Sequence, residues 1–241
     1  MSWATYEPVT AQMQQQQQMP MQMQQMKPMM QTKPENPAYT QQEKAEPQPP
    51  PKAQTKTTWA DISEYEEIND WAYIFLGILV SELILLFLVR LFPELFGKYL
   101  NIWYNRFKLS AVIADVFIIA LAIGVSRYIY TEFIYPKHDW SALYFTGTTL
   151  VVQLLHDLLF YMGVIQQVPK GHNAMIDVMK EYASSGGWTT IAGDSVLTIS
   201  SVGLAMIFKG MDAHAAMFLG ILTIYAIPYI LETRNDYSTL G

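Results

Sequence analysis

Five apolar stretches, 71–92, 109–131, 142–165, 188–208 and 213–231, succeed one another along this chain, and the first four each carry a single carboxylate: Glu82, Asp115, Asp157 and Asp194. About 20 consecutive apolar residues are enough to cross a bilayer as a helix. A carboxyl inside such a segment is costly unless it is paired, protonated or turned toward a polar interior. The pattern predicts an all-α, polytopic membrane protein of about five transmembrane helices that pack around something polar.

The mean hydropathy of +0.12 averages two unlike parts. Residues 1–57 hold the run Gln14–Gln18, a Met-Gln alternation to Gln31 and the cluster Pro47, Pro49, Pro50 and Pro51. Such a segment buries too little surface to offset its ordering entropy, so a disordered tail is expected. Eight of the fourteen methionines lie in its first 30 residues. That bias leaves open a recognition arm that orders on a partner, since methionine adapts to varied apolar surfaces. Residues 58–70 form an acidic juxtamembrane segment with Asp61, Glu64, Glu66, Glu67 and Asp70. Thr58 or Asp61 is placed to cap a short helix there.

Charge and composition exclude several classes. A net charge of −6 without any Lys/Arg-rich run speaks against nucleic-acid binding. The absence of cysteine removes disulfides, thiolate catalysis and Cys-ligated metal centres. Met1–Pro20 lacks the basic and apolar regions of a secretory signal, so insertion is expected to rely on the spans themselves. Arg90, Lys98, Arg106, Lys108, Lys170, Lys180 and Arg234 fall on one side of the spans, and Lys56, Arg127, Lys137 and Lys209 on the other. The positive-inside rule then favours an outside N-terminus and an inside C-terminus, with 232–241 a short inner tail.

The two inner connectors read as amphipathic interface helices at 94–107 and 174–184. In the first, Lys98, Asn101, Asn105 and Lys108 form one polar stripe opposite Phe96, Tyr99, Leu100, Trp103 and Phe107. In the second, Asn173 is a natural N-cap. Its charges Lys170, Asp177, Lys180 and Glu181 are candidates for docking a partner at the membrane surface. Small residues four apart, Gly77/Ser81, Ala120/Gly124, Ser201/Ala205 and Ala216/Gly220, predict close helix crossings.

At the helical rise, Asp115 and Asp194 lie roughly 9 Å, Asp157 about 12 Å and Glu82 about 15 Å from the inner ends of their spans. Gln153 and His156 share that depth with them. Three readings compete for this intramembrane polar cluster: packing glue between helices, a proton or cation path, and a metal site drawing on His172 as well. Packing glue leads. Adjacent His156 and Asp157 point to different helix faces, which suits a metal poorly. The enzyme motifs His-Glu-x-x-His, Gly-x-Ser-x-Gly, the Walker loop and the dinucleotide-binding glycines are all missing. No catalytic, cofactor-binding or metal-ligating set is therefore assigned, and no enzymatic activity is expected.

The stretch Gln153–Ser195 contains HDLLFY in a span, PKGHNAMIDVMKEYA in the connector after it and GDS opening the next span. It resembles multispanning membrane proteins encoded by large nucleocytoplasmic DNA viruses, including those of algae and protists. The resemblance implies a non-enzymatic structural role in a virus particle, linking its internal membrane to the capsid or another protein scaffold. The implied location is the virion membrane, or a host endomembrane before assembly. Expected partners are the lipid bilayer and capsid or other virion proteins, with homo-oligomerisation left open. The alternative is a small proton or cation channel or transporter that uses the intramembrane carboxylates.

Overall fold

In the computed structural model of this chain the structure describes residues 59–186 and 188–234. The expected tail 1–57 and the last seven residues of the expected C-terminal tail, 235–241, lie outside the described residues. Seven α-helices run through the described part: α1 (Asp70–Leu91), α2 (Pro93–Phe107), α3 (Leu109–Ile129), α4 (Ala142–Phe160), α5 (Ala174–Gly186), α6 (Trp188–Lys209) and α7 (Ala213–Leu231). α3 and α4 each run on into a π-helical turn, Tyr130–Ile134 and Tyr161–Ile165. Asp70–Leu91, Leu109–Ile134, Ala142–Ile165, Ile191–Lys209 and Ala213–Leu231 are long and apolar enough to cross a membrane. The protein is an all-α, multi-span integral membrane protein.

The distribution of side chains follows from a lipid surround. Large apolar residues such as Phe117 and Leu121 on α3, or Phe218, Ile221 and Tyr225 on α7, point outward, while small and polar residues such as Ala205, Ser126 and Thr223 lie inside with the apolar core of Ile74, Leu86 and Phe145. Several buried hydroxyls are satisfied within their own helices. Ser126 donates to the Ala122 carbonyl at 2.6 Å, and Ser201 and Thr223 donate to Leu197 and Leu219, each at 2.8 Å. That arrangement lets a polar residue sit in the core without a partner on another helix.

α1 is the central helix and packs on α6, α7, α3 and α2. Its crossing with α6 is backbone to backbone: a Cβ on Gly77 would lie 2.6 Å from both the Ala205 nitrogen and the Ser201 carbonyl oxygen. Two of the expected small-residue pairs thus meet one another, the close approach that such pairs permit. Gly124 faces the Trp71 ring, and Gly220 faces Leu76.

α2 and α5 close one end of the bundle and touch through Tyr99 and Tyr182, whose ring centroids are 6.5 Å apart. Asn173 caps α5 by accepting from the Met175 and Ile176 amides at 2.9 and 3.1 Å. α2 corrects the single polar stripe expected from its sequence. Gly97, at φ 71° and ψ 174°, breaks the helix just ahead of that stripe. Asn101 is buried and donates to the Pro93 and Gly97 carbonyls at 2.9 and 2.8 Å, bridging the break. Ile102, Trp103 and Tyr104 turn into the core. Lys98 and Lys108 stay at the surface, and Lys108, joining α2 to α3 at φ 47°, pairs with Glu232 at 2.8 Å. At this same end Arg90 donates to the last carbonyls of α7, Ile230 at 3.2 Å and Leu231 at 2.9 Å. A cation on a helix C-terminus satisfies orphan carbonyls and complements the helix dipole.

Residues 59–69 do not form the expected short helix. They make turns, and Asp61 accepts from the Ser63 amide and hydroxyl at 2.8 and 2.7 Å. The side chain therefore closes a local turn rather than capping a helix.

Candidate functional site

The four intramembrane acids divide into two settings. Glu82, on α1, is completely buried. The Tyr104 hydroxyl lies 2.8 Å from Glu82 Oε1 and 3.1 Å from Asp115 Oδ2, so α2 ties α1 to α3 through one phenol. Trp103 Nε1 donates to the same Asp115 oxygen at 3.0 Å. A phenol has one proton and donates one hydrogen bond. Burial, and then the two neighbouring carboxyls, push the Tyr104 phenol well above its usual range, which keeps it protonated. Glu82 Oε2 has no partner. Tyr104→Phe should accordingly destabilise the bundle by about 1–3 kcal/mol, since Glu82 would lose its remaining hydrogen bond. Adding Glu82→Met should recover part of that loss, as read from unfolding midpoints in detergent.

The other setting is a cavity of about 520 Å³. Asp115 from α3, Asp157 from α4 and Asp194 from α6 all line it, together with Gln153, His156 and Thr198. Tyr104 and Trp103 form part of its wall, so Glu82 stands one residue behind the lining, connected through the phenol. On α4, Gln153 Nε2 donates to both Asp157 oxygens, at 2.9 and 3.1 Å, one turn along the same helix. His156 Nδ1 lies 3.2 Å from Asp157 Oδ1, and its ring stacks on Phe160. Asp194 makes no hydrogen bond or ion pair within the described residues. Two oxygens of lining residues, Gln153 Oε1 and Thr198 Oγ1, are buried without a partner among the described residues. Among the described residues no three of His, Asp and Glu stand close enough to hold one metal ion. The π-helical turn after α4 contributes Tyr161 and Ile165 to the lining, and such turns recur at functional sites.

Compared with family models, with curated proteins and with solved structures, the chain matches none. Its chemistry has to be read from the geometry.

The sequence reading passed over a second polar centre, at the opposite end of the bundle. Asp70, at the start of α1, holds Lys209 Nζ at 2.6 Å on one carboxylate oxygen and Arg127 at 3.4 Å on the other. The Asp70 and Arg127 side chains are only 2 % and 1 % exposed. Arg127 also donates to the Glu64 and Glu67 carbonyls, the latter at 2.8 Å, and lies over the Trp71 ring. Lys209 donates to the Asp61 carbonyl at 2.6 Å. The backbone of residues 59–69 therefore lies across this end as a clasp, held by cations from α3 and α6. Beside it, the Asn69 amide and side chain hold the Glu67 carboxylate below its usual range. The signal was present in the sequence. An acidic segment without cations of its own ends at the same bundle face as Arg127 and Lys209.

The connector charges are engaged close to home. Asp177 accepts from the Gly171 amide, at 3.1 and 3.0 Å on its two oxygens, and Lys180 donates to the Val168 carbonyl. Lys170 and Glu181 pair with each other at 3.2 Å at the surface. His172 does not line the cavity.

Proposed function

We propose that this protein is a small conduit for protons or cations, a channel or transporter whose path uses the acid-lined cavity. The observation that carries this reading is the meeting of Asp115, Asp157 and Asp194, from three spans, on one cavity. Ionisable groups inside spans are costly, and they characteristically face one another or a polar path. Packing glue would need bonds between helices. The partners of Asp157 lie on its own helix, and Asp194 has none among the described residues. Only Glu82 and Asp115 are cross-linked between helices, through Tyr104.

Reconstituted into liposomes with a trapped pH indicator, the full chain should dissipate an imposed proton or cation gradient. The triple variant Asp115→Asn, Asp157→Asn, Asp194→Asn should fall to the rate of empty liposomes. A folded triple variant with undiminished flux would sink the reading. The resemblance of residues 153–195 favours a second one, a structural protein joining a virus membrane to its capsid or scaffold. Mass spectrometry of purified particles tests it, and absence from the particles rules it out.

A further inference from the structure

We infer that the cavity binds an organic ammonium ion, an amine with N–H donors on an apolar body. As the identity of a cargo, this rests on the conduit reading. As a binding site, it stands on the cavity itself.

Size is the first argument. About 520 Å³ lies within the range of small-molecule pockets and far exceeds the space of a bare metal ion. The placement of the acids is the second. They stand on three different helices, and no three His, Asp or Glu side chains converge as ligands among the described residues. An extended cation that pairs with one carboxylate at a time suits that spacing, whereas a chelated ion does not. No lysine or arginine among the described residues lines the cavity, so no fixed cation in the wall already offsets the acids. The only basic ring, His156, is occupied with Asp157 and Phe160.

The remainder of the lining supplies an apolar site with π faces. Tyr99 and Trp103 come from α2, Phe160 and Tyr161 from the end of α4, and Tyr182 from α5. A cation over aromatic rings is attracted by their quadrupoles, and more so where water is excluded. The last argument selects N–H donors over a quaternary head. Gln153 and Thr198, both lining residues, are 3 % and 0 % exposed, and each has a buried side-chain oxygen with no partner among the described residues. Orphaned buried acceptors are costly, and a primary ammonium supplies up to three donors.

The test uses the full chain in phosphatidylcholine nanodiscs, whose headgroups carry no N–H, and three probes of like shape: phenethylamine, its N,N,N-trimethyl derivative and 2-phenylethanol. Equilibrium dialysis should give saturable binding of phenethylamine, roughly tenfold weaker binding of the trimethyl derivative from the lost hydrogen bonds, and none of the alcohol. Asp157→Asn with Asp194→Asn should abolish amine binding. Equal binding of the alcohol, equal binding of the quaternary ion, or no saturable amine binding would each overturn the inference without requiring any variant to fold. Phosphatidylethanolamine carries the same ammonium, so the dialysis is repeated in discs of that lipid. Loss of phenethylamine binding there assigns the site to the lipid headgroup, and retention assigns it to a free amine. Liposome flux separates the two readings. Proton flux without amine binding removes the ammonium site and leaves the conduit, while amine binding without any flux removes the conduit and leaves the site.

Discussion

Asp70→Ala should cost the folded bundle about 3–5 kcal/mol, the penalty for removing one partner of a buried ion pair. The carboxylate is the shared counter-ion of Arg127 and Lys209, and two of the three side chains are almost wholly buried. Without it, Arg127 keeps the Glu64 and Glu67 carbonyls and the Trp71 ring, but both it and Lys209 lose the carboxylate that pairs with them directly. Two of the Arg127 nitrogens, Nε and Nη1, already lack partners among the described residues. Removing the charges together is a different matter. Asp70→Ala with Arg127→Met and Lys209→Met should recover most of the loss, because apolar replacement of a whole buried ionic group is often close to neutral. Unfolding midpoints in mixed micelles check both results. A loss no greater than that of Glu66→Ala, at an exposed acid of the same segment, would show that the centre does not hold the clasp.

The second large effect belongs to the α1–α6 crossing. At Gly77 the atoms that a new methyl would strike, the Ala205 nitrogen and Cα and the Ser201 oxygen, are all backbone. No rotamer change relieves such a clash, so α1 and α6 must move apart along their contact. Gly77→Ala should therefore cost about 1–3 kcal/mol, the usual range for overpacking a tight core. Gly77→Val should prevent recovery of monodisperse protein. Two controls separate this from any general intolerance of change. Gly147 on α4 and Gly203 on α6 have nothing within 4 Å of an added Cβ. Alanine at either should be neutral, or stabilising by up to about 1 kcal/mol through helix propensity. Equal losses at all three positions would refute the crossing argument.

The five spans were legible because a span is a local property, a length of apolar chain bounded by turns. The cap at Asn173 was legible for the same reason: it concerns one residue and the three that follow. Small pairs such as Gly77/Ser81 and Ser201/Ala205 announced close crossings, although nothing local says that these two pairs meet one another. Tyr104 was hidden by classification. It belonged neither to the polar stripe nor to the apolar face read for this helix, and its hydroxyl is what links Glu82 to Asp115. The polar stripe on α2 failed at Asn101, whose amide is turned inward to bridge the break at Gly97, a non-local use that spacing does not reveal. The four acids were visible, and their shared depth followed from counting residues. Their division did not. Glu82 is sealed behind Tyr104 while three aspartates face open space, and only the packing of α2 and α5 against the bundle decides that.

The clasp also has a mechanical side. Residues 59–67 are gripped by five hydrogen bonds: Trp140 to the Trp59 carbonyl, Lys209 to Asp61, Thr131 to Ser63, and Arg127 to both Glu64 and Glu67. Tension on the chain ahead of Trp59 is therefore delivered to the ends of α3 and α6 before it reaches the first turn of α1. The load is spread over several bonds side by side, and a pull on the N-terminal side is resisted by the bundle instead of peeling away its first helix.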